Sequence, residues 1–259
     1  MKIGQVAAQL YSVRDYLKTP ADIKKSLRRV RKIGYESVQL SGLGPIEDGE
    51  LVKILKGEGL NACSSHEPSA EILNETERVV EKLKVLGVPS VAYPYPAGVE
   101  MGTLAQVKSF ARALNKAGEV FHKNKIVFAY HNHNNEFMRL GDKAILDIIY
   151  EQTDPKFVQA EIDTYWVQAG GADPVAWCTK MKKRLPLLHI KDYGVNSERQ
   201  GVFKEIGYGN LNFPAIISAA EKSGCKWFIV EQDSTWMKDD PFKSLQASFN
   251  YIQEHLVQV

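Results

Sequence analysis

The hydrophobic pattern of the chain alternates short apolar runs of strand length with longer segments in which apolar residues recur every three or four positions. The runs of strand character cover residues 6–10, 36–40, 60–66, 90–95, 126–130, 157–163, 186–192 and 226–231. Each run is followed by a helical pattern, such as the one that begins with Thr19 as cap and Pro20 in the first turn and ends at Gly34. Strict alternation of this kind predicts parallel strands joined by crossover helices.

Eight such units predict a fold of the α/β class, a (β/α)8 TIM barrel. The length of 259 residues is close to the roughly 250 residues of a typical barrel, and we expect one domain over residues 1–259. A doubly wound open sheet is the alternative. It is disfavoured because no G-x-G-x-x-G follows the first strand and no phosphate-binding P-loop is present.

Composition and charge narrow the class of protein by exclusion. Hydrophobic residues make up 44% and charged residues 25% of the chain, which is ordinary for a soluble globular protein. A net charge of +2 without a basic stripe argues against a nucleic-acid partner. The three cysteines, Cys63, Cys178 and Cys225, are far apart and predict neither disulfides nor a thiolate zinc site.

The hydrophobic pattern also predicts where the protein is located in the cell. No run approaches the roughly 18 apolar residues of a membrane span, and no apolar signal core follows Met1. We therefore expect a cytoplasmic protein with a small-molecule partner and without a membrane partner. Formation of a homo-oligomer is left open.

Reactive side chains are concentrated where the last four predicted strands end. The stretch KIVFAYHNHNNEF runs from an apolar strand into His131, His133 and Glu136. Strand alternation places the two histidines on one face, with Glu136 in the loop just beyond. The next three strands end in FVQAEID, PLLHIKD and KWFIVE. In a barrel the carboxyl ends of all strands meet on one face.

Side chains from neighbouring strand ends can reach one point, since parallel strands lie about 4.8 Å apart. Ionised carboxylates packed there would repel one another unless a cation lay between them. Three carboxylates and one imidazole suit Mn²⁺, Mg²⁺ or Co²⁺. The predicted ligands of one divalent ion are Glu136, Asp163, His189 and Glu231.

Several alternatives stay open for this metal site. His131 or His133 could replace Glu136 as a ligand, and Glu161, which has the parity of Asp163, could lie one layer deeper. Asp163 and Glu231 could instead be helix caps or ion-pair partners, and His189 could be a hydrogen-bonded core residue.

Further residues near the strand ends are candidates for substrate binding. Lys191 shares a face with His189 and could polarise a substrate oxygen or simply neutralise a carboxylate. Trp166 could stack on a sugar ring or pack beneath a loop. The glycine-rich connection over residues 193–212 has the length of a lid. The predicted substrate-binding set is His66, His131, His133, Trp166, Lys191 and Glu205.

Six motifs in this order resemble one family. QLYSVRD, YHNHNNEF, EIDTYW, HIKD, EIGYGNLNF and VEQD are similar to the xylose isomerase-like TIM barrels, a group broadly labelled sugar phosphate isomerases and epimerases, over nearly the whole chain. The resemblance implies that Asp163, His189 and Glu231 are metal ligands. Many relatives have a glutamate where this chain has His131, so we assign the fourth ligand to Glu136.

The resemblance also implies a mechanism. A divalent metal would bind adjacent oxygens of a keto or aldo sugar and acidify the carbon-bound proton between them, while Glu136 and Glu231 move protons on opposite faces of an ene-diolate. Many epimerases have D-T-x-H where this chain has Trp166 in place of the histidine. D-x-Y-W with HIKD is similar to the branch of inosose dehydratases and keto-glycoside lyases or hydratases, which expel a leaving group.

These observations support several hypotheses. The leading one is a divalent-metal-dependent sugar isomerase or epimerase with Glu136 and Glu231 as catalytic residues. The alternative is a metal-dependent lyase or dehydratase on keto-sugars, inososes or 3-keto-glycosides. An abasic-site endonuclease is disfavoured because such relatives use a His-rich multi-zinc site and a basic surface. A barrel that binds a sugar without converting it is the fourth hypothesis.

Overall fold

Eight parallel strands close into a barrel in the computed structural model, which describes residues 1–257. The described strands, in chain order, are β1 (Val6–Gln9), β2 (Ser37–Leu40), β3 (Asn61–His66), β4 (Ser90–Tyr93), β5 (Val127–His131), β6 (Arg139–Leu140), β7 (Lys143–Ala144), β8 (Gln159–Asp163), β9 (Leu187–Ile190), β10 (Asp192–Val195), β11 (Gly201–Lys204) and β12 (Trp227–Val230). The barrel runs β1-β12-β9-β8-β5-β4-β3-β2, with β1 pairing to both β2 and β12. The predicted TIM barrel is confirmed. Strands β6–β7 and β10–β11 form antiparallel hairpins outside it.

Helices connect the barrel strands as the periodicity predicts. They are α1 (Pro20–Ile33), α2 (Asp48–Glu58), α3 (Ser69–Asn74), α4 (Thr76–Leu86), α5 (Leu104–Lys123), α6 (Ile145–Gln152), α7 (Thr164–Ala169), α8 (Pro174–Lys180), α9 (Phe213–Lys222) and α10 (Pro241–His255). Glu75 separates α3 from α4, because it leaves the helical conformation with φ −132° and ψ 37°. Of the helices in the described part of the chain, none is both long and apolar enough to cross a membrane.

Two layers of side chains fill the barrel interior, and their order determines where chemistry can occur. The lower layer is small and apolar, with Ala7, Cys63, Ala92, Ala129, Leu187 and Ile229. Two residues further along several strands the same inward positions become polar, because side chains repeat on one face every second residue. The buried polar residues of this upper region include Gln9, Gln39, His131, Glu161, His189 and Glu231. The polar region therefore lies at the carboxyl end of the strands.

Close packing between the barrel and its helices fixes the strands in register. Gly118 of α5 lies so near the start of β8 that a Cβ atom would be 2.5 Å from the carbonyl oxygen of Phe157. The register pairs His131 with Glu161 and Asp163 with His189 on adjacent strands. Side chains that are far apart in sequence are thus brought together by backbone pairing alone.

Candidate active site

Four buried side chains from β5, β8, β9 and the end of β12 converge at the carboxyl end of the barrel. They are His131, Asp163, His189 and Glu231, and each offers one ligand atom such that all these atoms lie within 4.8 Å of one another. Three of the four were predicted as metal ligands. The fourth, His131, was predicted as a substrate-binding residue and as an alternative ligand.

Lys191 lies among the carboxylates of this group. Its Nζ atom is 2.9 Å from Glu231 Oε2, 2.7 Å from Asp233 Oδ2 and 3.4 Å from Asp163 Oδ2. Burial alone would lower the pKa of Lys191, but the carboxylates of Asp163 and Glu231 outweigh burial and raise this pKa above its ordinary value. Burial alone would raise the pKa of Glu231, yet Lys191 and His189 hold it well below its usual range. At neutral pH the lysine is therefore charged and Glu231 is ionised.

Asp163 combines a structural role with a free acceptor atom. Its Oδ1 accepts a hydrogen bond of 3.0 Å from the backbone N–H of Trp166, which caps α7. Its Oδ2 is buried and forms no hydrogen bond with any described residue. Burial raises the pKa of Asp163 to about 6. The helix cap therefore leaves one carboxylate oxygen directed into the group.

The two histidines differ in charge. Burial alone would lower the pKa of His189, but Glu161 and Glu231 outweigh it and raise the pKa to about 9. His189 lies 3.0 Å through Nδ1 from Glu231 Oε2 and 2.6 Å through Nε2 from Gln39 Oε1. Burial, reinforced by the neighbouring His189, lowers the pKa of His131 to about 3. His131 is therefore neutral, and its buried Nδ1 has no hydrogen-bond partner in the described chain.

Glu161 lies one layer below and anchors the imidazoles. Its Oε1 atom is 2.5 Å from His66 Nε2, and its Oε2 accepts a hydrogen bond of 2.7 Å from Gln39 Nε2. His66, His131, Glu161 and His189 form a second group of possible ligands that overlaps the first. The sequence reasoning missed Gln39, although an amide at an inward position of a barrel strand was an available signal.

The structure places Glu136 away from both groups, so the expectation that it lies beside the other predicted ligands is wrong. Glu136 is fully buried; its Oε1 accepts a hydrogen bond of 2.6 Å from the Tyr130 hydroxyl, and its Oε2 accepts one of 2.9 Å from the backbone N–H of His133. Burial raises its pKa despite these two bonds. A 3-10 turn, Asn135–Phe137, directs the carboxylate toward Tyr130, which alternates to the opposite face of β5 from His131. His131 occupies the position expected for Glu136.

Glu205 also lies elsewhere than predicted. Its Oε1 accepts hydrogen bonds of 2.7 Å from the Ser244 hydroxyl, 3.1 Å from the backbone N–H of Met237 and 3.2 Å from Gln232 Nε2. These bonds fasten the loop after β12 to α10, and Glu205 does not line the mouth of the barrel. Its sequence neighbourhood, not its contacts, suggested a substrate role.

The segment EIGYGNLNF is held by one carboxylate. Asp192, at the base of the β10–β11 hairpin, accepts hydrogen bonds from the backbone N–H groups of Gly207 and Gly209, each 2.9 Å, and of Leu211, 3.2 Å. A Cβ atom on Gly209 would lie 2.4 Å from Asp192 Oδ1. The glycine at this position allows the close approach that fixes the hairpin over the barrel.

A cavity of about 370 Å³ opens above the converging groups. Its lining residues are Tyr11, Ser41, His66, Pro94, Tyr95, His131, His133, Lys191, Glu231 and Asp233. His66, His131, His133 and Lys191 thus face a common space, as expected for the predicted substrate-binding set. Asp233 is an additional residue that the prediction missed, although it has the same parity as Glu231.

Aromatic rings pack beside Lys191, although the predicted substrate-binding residue Trp166 is not among the residues that line the cavity. Lys191 Nζ lies 5.4 Å from the Trp166 ring centre and 5.1 Å from that of Phe203. Phe203, from β11, stacks on Tyr165 with centroids 4.0 Å apart. The buried Nε1 of Trp166 has no hydrogen-bond partner within the described residues.

The group His131, Asp163, His189 and Glu231 fits a divalent cation. It supplies two imidazole nitrogens and two carboxylate oxygens, a mixed donor set that divalent first-row metals accept. Asp163 Oδ2 is buried without a hydrogen bond to the described chain and lies 3.9 Å from both His131 Nε2 and His189 Nδ1, so a ligand among these atoms would satisfy it. His189 would lose a proton on ligating an ion.

Comparisons with known proteins agree with this geometry. Residues 27–255 match the model of the xylose isomerase-like TIM barrel family. An inosose dehydratase of Mesomycoplasma hyopneumoniae is 23% identical, with 98% of this chain and 95% of that protein covered. The structure of a sugar phosphate isomerase/epimerase from Parabacteroides distasonis superposes with a TM-score of 0.83 at 26% identity, covering 98% of this chain and 95% of that chain. A xylose isomerase-like TIM barrel protein from Mycobacterium smegmatis, solved in complex with magnesium, has a TM-score of 0.74 at 16% identity, with coverage of 98% and 97%, a likeness of fold alone.

Proposed function

Because this chain belongs to the xylose isomerase-like TIM barrel family, we propose that it is a metal-dependent enzyme that removes a proton from the carbon next to the carbonyl group of a sugar or cyclic polyol. The observation that carries the proposal is the convergence of an ionised Glu231 with His131, Asp163 and His189 beneath a polar cavity. The names of the similar proteins, an inosose dehydratase and a sugar phosphate isomerase/epimerase, support the same chemistry.

His131, Asp163, His189 and Glu231 would hold one divalent ion. When bound, the ion supplies Lewis acidity that polarises a substrate carbonyl and makes the adjacent C–H group more acidic. His131 is neutral and faces Asp163 through Nε2, and Asp163 Oδ2 accepts no hydrogen bond from the described chain. We propose that the ion is Mn²⁺, Mg²⁺ or Co²⁺.

Glu231 is the proposed base. Its pKa is held low by Lys191 and His189, so the carboxylate is ionised and able to accept the proton. Lys191 is protonated and lines the same cavity. Its ammonium group would donate a hydrogen bond to the carbonyl oxygen as negative charge develops there.

Of the two bases that the resemblance implies, we assign only Glu231. Glu136 lies behind β5 with both oxygens occupied, so the proposed proton transfer on opposite faces lacks its second glutamate. Proton removal from one face is sufficient for elimination. Asp233 faces the cavity, and burial together with Glu231 raises its pKa, which suits a group that donates a proton to a departing oxygen.

We therefore favour a dehydratase or lyase reaction. The C–H proton would pass to Glu231, the C–O bond on the next carbon would break, and Asp233 would protonate the leaving oxygen. Sugar isomerisation or epimerisation is the second candidate, supported by the 26% identity to the Parabacteroides protein. Aldose–ketose isomerisation also needs only one base.

Product analysis tests the proposal. The protein supplied with Mn²⁺ would be incubated with ketoses, inososes and 3-keto-glycosides, and products would be identified by mass spectrometry and NMR. We expect loss of water or of an aglycone, abolished by chelation. Glu231→Gln should lower the rate about 10²–10⁴-fold, whereas Glu254→Gln on the exposed face of α10 should not. Products that change only in configuration or carbonyl position would favour the isomerase or epimerase. Nicking of abasic DNA without sugar turnover would contradict both.

A further inference from the structure

A second and larger cavity adjoins the mouth of the barrel. Its volume is about 640 Å³, against about 370 Å³ for the cavity above the converging groups. Both are lined by Tyr11, Ser41, His66 and Pro94. The two cavities therefore meet at His66 and form one cleft. The second lies over β2, β3 and α4, on the side of the barrel that carries none of the four proposed ligands.

The walls of the adjoining cavity are mainly aliphatic. Its apolar lining residues are Leu40, Leu43, Pro45, Ile46, Leu51, Pro68, Leu86 and Pro94. Leu43 and Ile46 belong to the loop between β2 and α2 and are half-buried rather than part of the closed core. A wall of this composition gains free energy by removing an apolar group from water.

The one lysine that lines this cavity is already paired with a carboxylate. Lys82 Nζ lies 2.8 Å from Glu67 Oε2, and the buried Glu67 accepts a second hydrogen bond of 2.6 Å from the Ser65 hydroxyl. Across the cleft, Lys191 is surrounded by carboxylates. Lys82 and Lys191 are the only lysine or arginine side chains among the described residues that line either cavity. A phosphate group would therefore find no unpaired cation here.

We infer that the adjoining cavity is a second binding subsite that takes an apolar, ring-sized group attached to an unphosphorylated sugar. The inference rests on the proposed function, since it assumes that the reacting sugar lies above the converging groups. Leu43 and Ile46 determine the preference for the apolar group because they lie at the open edge of the cavity, in the loop 41–47. The sugar would lie above the converging groups and its substituent in the adjoining cavity, with His66 at the junction of the two cavities.

Binding measurements test this subsite without turnover. Isothermal calorimetry on the Mn²⁺-supplied protein would compare phenyl and methyl β-glycosides of glucose, galactose and xylose, with glucose 6-phosphate as the charged probe. We expect at least one phenyl glycoside to bind about tenfold more tightly than its methyl counterpart. Glucose 6-phosphate should bind no more tightly than the methyl glycosides.

Substitutions in the loop locate the preference. Leu43→Trp and Ile46→Trp fill the cavity and should reduce the phenyl preference to within twofold, with methyl glycoside affinity unchanged. Ile46→Ser, which fills nothing, should reduce the preference in the same direction if a tryptophan disturbs folding. Leu140→Trp is the matched control, because Leu140 is also half-buried at this end of the barrel and lines neither cavity.

Three results would overturn the subsite. They are equal affinities within every phenyl and methyl pair, tighter binding of glucose 6-phosphate than of any glycoside, and an equal loss of preference in Leu140→Trp. Failure of the proposed function has a different signature. In that case no sugar loses its C–H proton in any assay, while the phenyl preference and its dependence on Leu43 and Ile46 persist.

Discussion

Removing the carboxylate of Glu136 should destabilise the protein without weakening its affinity for a divalent cation. Glu136→Ala would leave two buried donors without an acceptor, the Tyr130 hydroxyl and the backbone N–H of His133. Each unsatisfied donor costs about 1–3 kcal/mol, so the free energy of unfolding should fall by about 2–6 kcal/mol. For a chain of this size the melting temperature should fall by roughly 4–24 °C.

The assay pairs thermal or urea unfolding with calorimetric titration of Mn²⁺. Glu136→Gln should be milder than Glu136→Ala, because its amide oxygen can still accept from His133 and its amide N–H can donate to Tyr130. In both variants we expect the dissociation constant for Mn²⁺ to stay within about twofold of the parent value. His131→Ala is the comparison, and its affinity should fall by at least the roughly 10–100-fold that disturbing a metal site costs.

The opposite pattern would refute this reasoning. If Glu136→Gln keeps the parent stability but loses affinity for Mn²⁺ about tenfold or more, then Glu136 reaches the ion and the hydrogen bonds to Tyr130 and His133 do not define its role. An affinity for Mn²⁺ in His131→Ala equal to that of the parent would contradict the assignment of His131 as a ligand.

Three further predictions concern pH, charge and packing. Burial raises the pKa of Glu136. The stabilisation by its carboxyl group is therefore fully present below the pKa of the unfolded state and is lost as pH rises through the pKa of the folded state. In urea unfolding, the parent should exceed Glu136→Gln in free energy of unfolding by more near about pH 4 than near about pH 8. Lys191→Met leaves buried carboxylates unpaired and should cost about 3–5 kcal/mol of metal-free stability while increasing affinity for Mn²⁺, as followed by melting with and without the ion; weaker binding would contradict it. Gly118→Ala should cost about 1–3 kcal/mol in urea because its Cβ meets the Phe157 carbonyl, whereas Gly57→Ala in α2, which has open space, should be neutral or stabilising; equal effects would refute the packing argument.

Periodicity in the sequence was sufficient for the barrel and for the residues inside its strands. Alternation of faces predicts the inward positions of Asp163 and His189, because within a strand the direction of each side chain follows from its position alone. Parallel pairing then aligns neighbouring strand ends, as in the pairing of Asp163 with His189. These positions need no knowledge of loops.

Residues beyond the strand ends could not be placed in the same way. Glu136 is separated from His131 by four residues, and the turn Asn135–Phe137 determines where its carboxylate points. The hydrophobic periodicity of the sequence does not predict that turn. The direction of the Glu205 side chain likewise depends on contacts with the loop after β12 and with α10.

Two residues were missed although the sequence contained a signal for them. Asp233 follows Glu231 at the spacing that keeps the same face, and the chain continues extended far enough for its carboxylate to reach Lys191 at 2.7 Å. Gln39 lies at an inward position of β2 and bridges His189 and Glu161. These partners of Gln39 lie on other strands, so they become its neighbours only when the barrel closes.

Solvent exchange at the reacting carbon tests the central claim most directly. An inosose or 3-keto-glycoside would be incubated with the Mg²⁺-supplied protein in D₂O, and deuterium incorporation or elimination at the carbon next to the carbonyl would be followed by NMR. We predict that C–H cleavage requires the ion, disappears with a chelator and with Asp163→Asn, and slows about 10²–10⁴-fold in Glu231→Gln. Cleavage that continues unchanged after chelation, or at the parent rate in Glu231→Gln, would contradict the account.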